Sequence, residues 1–412
     1  MLAGILLARL VKEGTLRVID AHGKLHEFRG APGGRATIRL HDPKLHWKLF
    51  FNPRLCAGEA YMDGTLTLEE GTSLFEFLDL VGLNLHLVEP TPIVRLCLWA
   101  GRMWRPVMQH NPLGLARKHV AHHYDLSDEL FDLFLDSDRQ YSCAYFVSPN
   151  DTLEQAQAAK KRHLASKLAL DRPGLKVLDI GSGWGGLGLY LARSAGAEVT
   201  GVTLSTSQQS VSKARAEKLG LADRAHFLLK DYREIEDKFD RIVSVGMFEH
   251  VGVTHYREFF AKLRDLLTED GVALVHTIAR FDGPSTTNPW LRKYVFPGGY
   301  CPALSEVFAA IEKTGLKVAD MEILRLHYAE TLKHWARNFR ANRDKIKAIY
   351  DERFCRLWEF YLAGSEVAFR RQDHMVSQIQ LVRDQSALPL TRDYMLDWER
   401  AHWSEGATAA SA

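Results

Sequence analysis

Short runs of apolar residues, separated by stretches with a helical pattern, begin near Val177 and constrain the fold of this chain more than any other feature. The runs read KVLDIG, AEVTGVTL, AHFLLKD, FDRIVSVG and GVALVHTI. A short apolar run is typical of a strand that is buried on both faces, and alternation of such strands with helices is typical of a doubly wound parallel sheet. The sequence therefore predicts an α/β domain with a Rossmann-like sheet.

The first hundred residues follow a different pattern, in which apolar and polar residues alternate. TLRVID and LHEFRG flank Ala21–Lys24, and ATIRL and HWKLFF follow further along the chain. Alternation of this kind is typical of half-buried strands, and Met1–Val11 has the pattern of an amphipathic first helix. We interpret these segments as hairpins with flanking helices, which predicts an N-terminal α+β domain over residues 1–105.

The remaining domain boundaries follow from changes in composition. An apolar segment with arginines is interrupted by Pro90, Pro92, Pro106 and Pro112, which predicts an amphipathic connector. Beyond residue 330 the chain is rich in aromatic residues and arginine, which predicts helices. We expect a helical connector that forms a lid over the ligand at 106–140, the doubly wound domain with a helical insertion at 141–403, and a polar tail at 404–412.

The composition argues against several classes of protein. The 412 residues include 53 Lys and Arg and 51 Asp and Glu, and the net charge of +2 provides no general attraction for nucleic acid. The five cysteines lack CxxC or His/Cys ligand spacing, which argues against structural zinc and favours a reducing cytoplasm. His122, His123 and Asp125 could suggest a metal site, but no further ligand follows them at helical spacing, so we predict no metal site. No segment is apolar enough to span a bilayer, so membrane contact is predicted to be peripheral.

A glycine cluster, VLDIGSGWGGLGLYLA, joins the first predicted strand of the sheet to a helix. Gly181, Gly183 and Gly186 match GxGxxG, and the missing side chains allow a ligand to approach the backbone amides. The motif alone also fits a dinucleotide site. Such a site needs an acidic residue near the end of the second strand to bind ribose hydroxyls, and GVTLSTSQ has none there.

The residues around the glycine cluster favour a different adenosine-containing cofactor. Asp179 precedes the glycines, and Thr203 and Gln208 stand where the ribose-binding acid is missing. Asp231 in KDYRE ends the third strand, where it can meet an adenine amino group. Asp231 also suits a helix cap, and the two roles are compatible. This pattern favours S-adenosylmethionine, bound as in class I methyltransferases.

Several ordered motifs resemble one family. They are HHYDLSDELFDLFLD, YSCAYF, LDIGSGWGG, GVTLSTSQ, DYR, FDRIVSVGMFEHVG, LVHTI and FPGG. Over most of Asp42–Arg383 the chain is similar to cyclopropane fatty acid synthases and the related mycolic acid cyclopropane synthases. The resemblance implies an S-adenosylmethionine-dependent C-methyltransferase that adds a methyl group to the cis double bond of an unsaturated acyl chain and closes a cyclopropane ring. Because FNPRLCAGEAYMDG resembles part of the extra N-terminal domain of the full-length bacterial enzymes, the implied substrate is a phospholipid.

The resemblance also implies roles for individual residues. Those expected to contact S-adenosylmethionine are Tyr141, Ser142, Asp179, Gly181, Gly183, Trp184, Gly185, Thr203, Gln208, Asp231 and Tyr232. The family's catalytic set holds a bicarbonate ion and maps onto Cys143, Glu249, His276, Ile278 and Tyr328. Ser182 departs from the family, because many members have Cys there. The resemblance further implies a homodimer and a cytoplasmic enzyme at the inner face of the membrane.

The chemistry of methyl transfer leaves a choice of base. An alkene is a weak nucleophile, so transfer passes through or near a carbocation, and the pocket must exclude water. Aromatic candidates to line such a pocket are Tyr141, Tyr145, Phe146, Trp184, Phe248 and Tyr328. Glu249 follows a predicted strand, and the residues by themselves indicate that its carboxylate is the base. The resemblance instead assigns that role to bicarbonate, polarised by Glu249 and His276.

Three alternatives stay open at this point. The first is a related lipid C-methyltransferase that leaves a methyl or methylene branch. The second is a nucleic-acid methyltransferase, although the chain lacks the Asn/Asp-Pro-Pro-aromatic motif or catalytic Pro-Cys of base methyltransferases. The third is a lipid-binding protein without activity, which the glycine cluster, Glu249 and His276 argue against. A basic and aromatic stretch is predicted to contact anionic lipid headgroups and comprises Lys333, Trp335, Arg337, Phe339, Arg340, Arg343 and Lys347.

Overall fold

The computed structural model of the chain describes residues 3–87 and 126–403. Within them the chain forms two compact units. The first comprises residues 3–87, 286–297 and 329–374, and the second comprises residues 126–285, 298–328 and 375–403. The predicted tail, most of the predicted connector, and His122, His123 and Asp125 lie outside the described residues, so the predicted domain boundaries remain a prediction.

The strands are numbered in chain order. They are β1 (Glu13–Ile19), β2 (Leu25–Arg29), β3 (Ala31–Leu40), β4 (Leu66–Glu69), β5 (Lys176–Ile180), β6 (Glu198–Thr203), β7 (Ala225–Leu229), β8 (Phe239–Val245), β9 (Leu267–Arg280), β10 (Lys317–Leu324) and β11 (His374–Val382). The first four form one sheet in the order β2-β1-β3-β4, and the other seven form a second sheet in the order β10-β11-β9-β8-β5-β6-β7.

The described α-helices are numbered in the same way. They are α1 (Ala3–Leu10), α2 (Leu45–Phe51), α3 (Pro53–Met62), α4 (Leu74–Leu87), α5 (Asp128–Phe134), α6 (Leu153–Lys167), α7 (Gly186–Ser194), α8 (Thr206–Lys218), α9 (Tyr256–Leu266), α10 (Pro289–Tyr294), α11 (Leu304–Ile311), α12 (His327–Ala341), α13 (Arg343–Ile349), α14 (Glu352–Arg371) and α15 (Asp393–Ala401). In the part of the chain that the structure describes, no helix is both long and apolar enough to cross a membrane.

The seven-stranded sheet confirms the predicted Rossmann-like core. Strands β5, β6, β7, β8 and β9 pair in parallel. Neighbouring residues of one strand belong to different core clusters, because side chains alternate between the two faces of a sheet. Leu178 and Ile242 lie in one cluster, whereas Val177 and Val243 lie in the other. Both faces are therefore buried, as a doubly wound fold requires.

Two sequence predictions of secondary structure were wrong. HWKLFF is not a strand but lies in helix α2, where Leu45 and Leu49 stand four residues apart and face the core of the first unit. A short aromatic run does not reveal by its period which element it forms. The region beyond residue 330 is not helical throughout, because HMVSQIQLV forms β11 between β9 and β10. Its pairing with β10 is antiparallel, so the sheet is mixed at this edge.

The first hairpin was predicted correctly. β1 and β2 pair antiparallel from Thr15 opposite Arg29 to Ile19 opposite Leu25. Leu16 and Val18 of β1 are buried in the core of the first unit. Polar residues on the other face leave that side of the hairpin to solvent, which is the usual arrangement of a half-buried sheet.

Candidate active site

A cavity of about 180 Å³ opens where β5, β6 and β8 end, as expected for a ligand site in a doubly wound sheet. The loop after β5 forms its floor. Gly181 has a φ of +81°, which favours glycine. A Cβ on Gly186 would lie 2.2 Å from Nε2 of Gln140, so a larger residue here would displace the ends of the side chains that pack against this position. The glycine cluster therefore lets a second segment of chain close over the start of α7.

The cavity gathers the predicted cofactor residues from distant parts of the sequence. All of them except Gly185 line it, namely Tyr141, Ser142, Asp179, Gly181, Gly183, Trp184, Thr203, Gln208, Asp231 and Tyr232. Gly185 is the left-handed N-cap of α7, and a Cβ there would lie 2.9 Å from the ring of Phe227. Gly185 therefore packs closely within the loop, and the roles of all eleven residues in cofactor binding remain predictions.

Asp179 is the polar group at the buried end of the cavity. Burial raises the pKa of its carboxyl to about 7. Its Oδ2 has no hydrogen-bond partner among the described residues, and neither has Oγ of Ser182. Buried polar atoms without partners are rare in native proteins, and a ligand with amino or hydroxyl groups would satisfy both. These atoms fit the polar groups of S-adenosylmethionine.

Lys160 also lines the cavity, and the sequence analysis missed it. Its Nζ donates to Oε1 of Gln140 at 2.6 Å and to Oγ of Ser142 at 2.8 Å. Burial lowers its pKa to about 8, against the attraction of Asp136. Lys160 lies in α6, outside any recognisable motif, so only the contact between α6 and the chain around Gln140 reveals it.

Two polar pairs line the cavity beyond the ends of β6 and β7. Thr203 at the end of β6 donates its hydroxyl to Oε1 of Gln208 at 2.8 Å. The carboxylate of Asp231 accepts from the backbone amide of Arg233 at 3.0 Å and from its guanidinium at 2.8 and 2.9 Å. Asp231 caps the 3-10 turn Tyr232–Glu234, as the sequence indicated. The cap and the predicted contact with adenine use the same carboxylate.

Aromatic rings form one wall of the cavity. The ring of Phe131, in α5, lies 4.9 Å from that of Trp184 and 5.4 Å from that of Tyr141. The indole of Trp184 donates to Oδ1 of Asp128 at 3.1 Å. Helix α5 therefore packs on the cofactor loop, and an aromatic surface faces the site.

The other aromatic residues predicted to line the pocket lie in different surroundings. Phe248 was proposed as a pocket residue, but its ring is fully buried and packs on Tyr256, Phe259 and Phe260 of the core. The ring of Tyr145 instead stacks between two histidine rings, with centroids 4.0 Å from His163 and 4.9 Å from His327. The backbone amide of Phe146 donates to Nδ1 of His327 at 3.0 Å.

Glu249 lies in the 3-10 turn Phe248–His250, directly after β8. Its Oε1 accepts from the backbone amide of Ile278 at 2.6 Å. Its Oε2 is buried and has no hydrogen-bond partner within the described chain. Burial raises the pKa of Glu249 to about 7, against the opposing hydrogen bond from Ile278. A carboxyl group with one fixed oxygen, one free oxygen and a pKa near neutrality is suited to proton exchange or to binding a protonated anion.

His276 is in β9 and is 2% exposed. It shares a face of the strand with Ile278, because residues two apart on a strand point the same way. Its Nδ1 lies 3.2 Å from Nε2 of Gln378. Burial lowers its pKa to about 3, and nearby lysines, Lys160 first, act in the same direction. The imidazole is therefore neutral.

We expect the nitrogen resonances of His276 to stay constant between about pH 5 and pH 8, because burial keeps the ring neutral through the range where free histidine titrates. Nuclear magnetic resonance of protein with ¹⁵N-labelled histidine measures this, with the signal assigned by its loss in His276→Gln. The urea-unfolded protein provides the titrating reference. A titration midpoint for His276 inside this range would contradict a neutral imidazole.

The other members of the predicted catalytic set occupy distinct positions. Cys143 is fully buried, and its thiol donates to the carbonyl of Ala144 at 3.3 Å. Ile278 offers its amide to Glu249, so its described role is to orient that carboxylate. Tyr328 is the second residue of α12. Lys160 lines the cavity and interacts electrostatically with both Cys143 and His276, whereas Cys143, Glu249, His276, Ile278 and Tyr328 are not among the residues that line it.

Cys301 is a neighbour of Glu249 that the sequence analysis did not assign to the site. Burial raises the pKa of its thiol to about 12, and the nearby carboxylate of Glu249 acts in the same direction. The preceding residue, Tyr300, donates its backbone amide to the carbonyl of Glu249 at 3.0 Å. A thiol held neutral in this way is not a nucleophile. No group of three or more His, Cys, Asp or Glu in the described ranges is arranged to hold a metal ion.

The geometry can be compared with known proteins. Residues 114–379 match the family model described as mycolic acid cyclopropane synthetase. The chain belongs to this family. A probable fatty acid methyltransferase of Pseudomonas putida is 40% identical over 385 residues, which cover 90% of this chain and 94% of that protein. The cyclopropane-fatty-acyl-phospholipid synthase of Escherichia coli K12 is 36% identical over 348 residues, covering 84% of this chain and 88% of that protein.

Solved structures show the same relationship. The crystal structure of the mycolic acid cyclopropane synthase CmaA1, complexed with SAH and CTAB, superimposes with a TM-score of 0.62. It is 32% identical and covers 66% of this chain and 99% of that one. Membership of the cyclopropane synthetase family confirms the predicted class I methyltransferase fold, the enzyme class and S-adenosylmethionine as cofactor.

Proposed function

We propose that this enzyme transfers the methyl group of S-adenosylmethionine to the cis double bond of an unsaturated phospholipid acyl chain and closes a cyclopropane ring. The observation that carries the proposal is the buried carboxyl of Glu249, which has a raised pKa and accepts from the amide of Ile278, two residues beyond the neutral His276 in β9. Glu249 follows β8, whose last residue, Val245, lines the cavity, and β9 is the neighbouring strand. The carbocation that methyl transfer to an alkene leaves must lose a proton, and a carboxyl group in this state is suited to that step.

The atoms of the reaction balance without a further reagent. When bound, S-adenosylmethionine supplies an electrophilic methyl group. One alkene carbon bonds to this methyl carbon, and the sulfur keeps the electron pair of the broken bond. The other alkene carbon then carries the positive charge. A base removes a proton from the added methyl group, and the released electron pair forms the last bond of the ring.

The protein's part in this reaction is to exclude water and to hold the base. Tyr141 and Trp184 line the cavity and offer aromatic rings that can stabilise positive charge, and the buried ring of Phe131 packs against both. We propose bicarbonate as the base. Its hydroxyl fits Oε2 of Glu249, which has no described partner, and its oxygens fit the N–H that a neutral His276 presents. Cys143 and Tyr328 complete the set by resemblance.

A phospholipid substrate is supported by the extent of the matches. The Escherichia coli relative is named a cyclopropane-fatty-acyl-phospholipid synthase, and its match covers 84% of this chain. The match to the mycolic acid enzyme covers 66%. A longer match leaves room for the first unit to contribute to lipid binding. By the same resemblance we propose a cytoplasmic homodimer that works at the inner face of the membrane.

The surface predicted from sequence to contact lipid headgroups was wrong in its aromatic residues. Trp335 is fully buried, and Phe339 is 1% exposed. The guanidinium of Arg343 is paired with Glu352 and Glu359, and Lys347 is paired with Glu352. Aromatic and basic residues alternate along the sequence here, but on the folded helices they lie on different faces. The aromatic residues of this stretch therefore belong to the interior of the first unit.

Helix α2 offers a better membrane-facing surface. Lys44, Trp47, Lys48 and Phe51 are exposed and follow the spacing i, i+3, i+4 and i+7, so they form one stripe. Trp47 is 51% exposed and Phe51 74%, and their rings stack with centroids 6.2 Å apart. Two exposed aromatic rings beside two lysines are suited to the interface of an anionic bilayer. We propose that this stripe contacts the membrane.

We expect Trp47→Ser with Phe51→Ser to weaken binding to vesicles of unsaturated phosphatidylglycerol by about tenfold or more, because each ring loses the free energy of burial in the lipid. Co-sedimentation measures the effect. Leu219→Ser with Leu390→Ser removes two exposed apolar side chains elsewhere and should leave binding unchanged. Equal binding by the Trp47/Phe51 variant and the wild type would exclude α2 as the contact.

Transfer of labelled methyl groups tests the substrate class. The full-length protein is incubated with methyl-labelled S-adenosylmethionine and either unsaturated or fully saturated phospholipid vesicles. We expect label in the acyl chains of the unsaturated lipid alone. Label in both lipids would place transfer at the headgroup and overturn the proposal, as would label in neither.

A branched product is the second candidate. The Pseudomonas putida relative is named a probable fatty acid methyltransferase, which specifies methyl transfer but no ring. An enzyme of that kind uses the same cofactor cavity and the same lipid, and differs in which proton leaves the carbocation. Only the structure of the product separates it from the first candidate.

A further inference from the structure

His276 has a buried side-chain partner, Gln378, that lies outside the predicted catalytic set. Nε2 of Gln378, in β11, lies 3.2 Å from Nδ1 of His276. Gln378 is 1% exposed and His276 2%, so water does not compete for this contact. β11 lies beside β9 in the sheet. The contact is therefore made by two neighbouring strands that the core holds in register.

The orientation of the Gln378 amide is fixed by a lysine. Nζ of Lys167, in α6, lies 2.6 Å from Oε1 of Gln378. The same Nζ contacts the carboxylate of Glu322, in β10. A lysine beside a carboxylate is an ammonium, which donates hydrogen bonds and accepts none. The atom of Gln378 that faces Lys167 must be the oxygen, so the atom that faces His276 is the NH₂ group.

Glu322 is itself held in place. Its Oε2 also contacts Nε2 of His163 at 2.7 Å, and Nδ1 of His163 contacts Glu399 at 2.6 Å. Despite partial burial, the hydrogen bonds and charges of His163 and Lys167 lower the pKa of Glu322. The carboxylate therefore stays ionised and keeps Lys167 at the amide.

The consequence for His276 concerns its tautomer. An NH₂ group that donates to Nδ1 requires a lone pair on Nδ1, and in a neutral ring the proton then resides on Nε2. His276 makes no hydrogen bond from Nε2 to any residue that the structure describes. A neutral ring with its N–H directed away from Gln378 can donate to an anion but cannot accept a proton through that nitrogen.

We infer that Gln378, oriented by Lys167 and Glu322, is a positioning residue that holds His276 as the Nε2-protonated donor to the base of the reaction. This inference rests on the proposed function for the identity of the base. It excludes His276 itself as the group that removes the proton. It also explains why buried polar residues occupy a strand at the core of the sheet, where apolar residues would pack more simply.

The first test needs no variant. In ¹⁵N-histidine-labelled full-length protein, the two ring nitrogens of His276 have different chemical shifts according to which one carries the proton. We expect the proton on Nε2. A proton on Nδ1 would overturn the inference, whether or not the protein methylates lipid. Failure of the proposed function would instead appear as the absence of lipid labelling with the tautomer as expected.

The second test reverses the polarity of the contact. Gln378→Glu places an acceptor opposite Nδ1, so the proton should move to Nδ1. We expect turnover to fall about tenfold or more, as is typical for residues that orient a catalytic group. The KM for S-adenosylmethionine should stay unchanged, because neither residue of this pair lines the cavity. A tautomer change without loss of turnover, or an unchanged tautomer, would overturn the inference.

Two further variants separate positioning from folding. Lys167→Met removes the group that orients the amide and should give both tautomers of His276, with a smaller loss of turnover than Gln378→Glu. Gln380→Glu is the matched control, because Gln380 is 1% exposed in the same strand and its side-chain amide donates to the backbone carbonyl of Lys167 and to the hydroxyl of Tyr394, not to His276. This control should retain the wild-type tautomer. Loss of the Nε2 tautomer in Gln380→Glu would show that any buried charge in β11 disturbs the ring, and would overturn the assignment to Gln378.

Discussion

Glu249→Gln should lower the formation of modified lipid by about a hundredfold or more, the usual cost of removing a group that handles the proton in a reaction. The reason lies in the geometry. The amide of Ile278 requires an oxygen at the position of Oε1, so the NH₂ group of the new side chain must occupy the position of Oε2. A donor then replaces an acceptor where the base is bound. Affinity for S-adenosylmethionine should stay within severalfold of the wild type.

The matched control for this variant is Glu366→Gln. Glu366 is also a buried glutamate whose pKa burial raises, but it pairs with Arg370 in the first unit. Turnover by the control should be unchanged. Turnover is measured with labelled cofactor and unsaturated vesicles, and affinity by calorimetry. Near-normal turnover by Glu249→Gln would remove Glu249 from the catalytic set, and a parallel loss of cofactor affinity would assign it to binding.

Asp231→Ala should weaken the binding of S-adenosylmethionine by about tenfold or more, because a hydrogen bond to a charged group is lost. The carboxylate lines the cavity, and its only described partners are Arg233 and the turn that it caps. Without the carboxylate, Arg233 also faces the cavity as an unpaired cation. Calorimetric titration with S-adenosylhomocysteine measures the loss without any need for turnover.

The loss of the helix cap must be separated from the loss of the cofactor contact. Asp384→Ala provides the control, because Asp384 caps the 3-10 turn Gln385–Ala387 through the same kind of contact, from the amide of Ser386 at 2.8 Å. Removal of such a cap costs about 1 kcal/mol of stability at either site. We expect only Asp231→Ala to weaken cofactor binding. Unchanged affinity in that variant would refute its role in the cofactor site.

The sequence was most informative where a motif and the end of a strand coincide. Asp179 lies near the end of a buried strand, Gly181 follows that strand and Glu249 follows another, so their position at the edge of the sheet could be predicted from the order of the strands alone. Backbone geometry explains this success. Parallel strands end at the same edge of a sheet, and a chain that must turn there without a clash needs glycine.

The residues that the sequence did not reveal reach the site from other elements. Lys160 projects from α6, and Gln378 from a strand that was expected to be helical. The local sequence around these residues does not indicate which side chains they contact. His276 and Gln378, for example, are 102 positions apart and meet only when the sheet has formed. The aromatic residues show the same limit, since Trp47 is exposed and Trp335 is buried although each lies in a basic helix.

The structure of the lipid product tests the central claim most directly. The purified full-length protein is incubated with unsaturated phospholipid vesicles and S-adenosylmethionine carrying a ¹³C-labelled methyl group, and the acyl chains are then examined by mass spectrometry and nuclear magnetic resonance. The account predicts the gain of one labelled methylene, loss of the alkene and the resonances of a cyclopropane ring. A labelled methyl or methylene branch would contradict ring closure while keeping the cofactor and lipid assignments, and acyl chains without label would contradict the account as a whole.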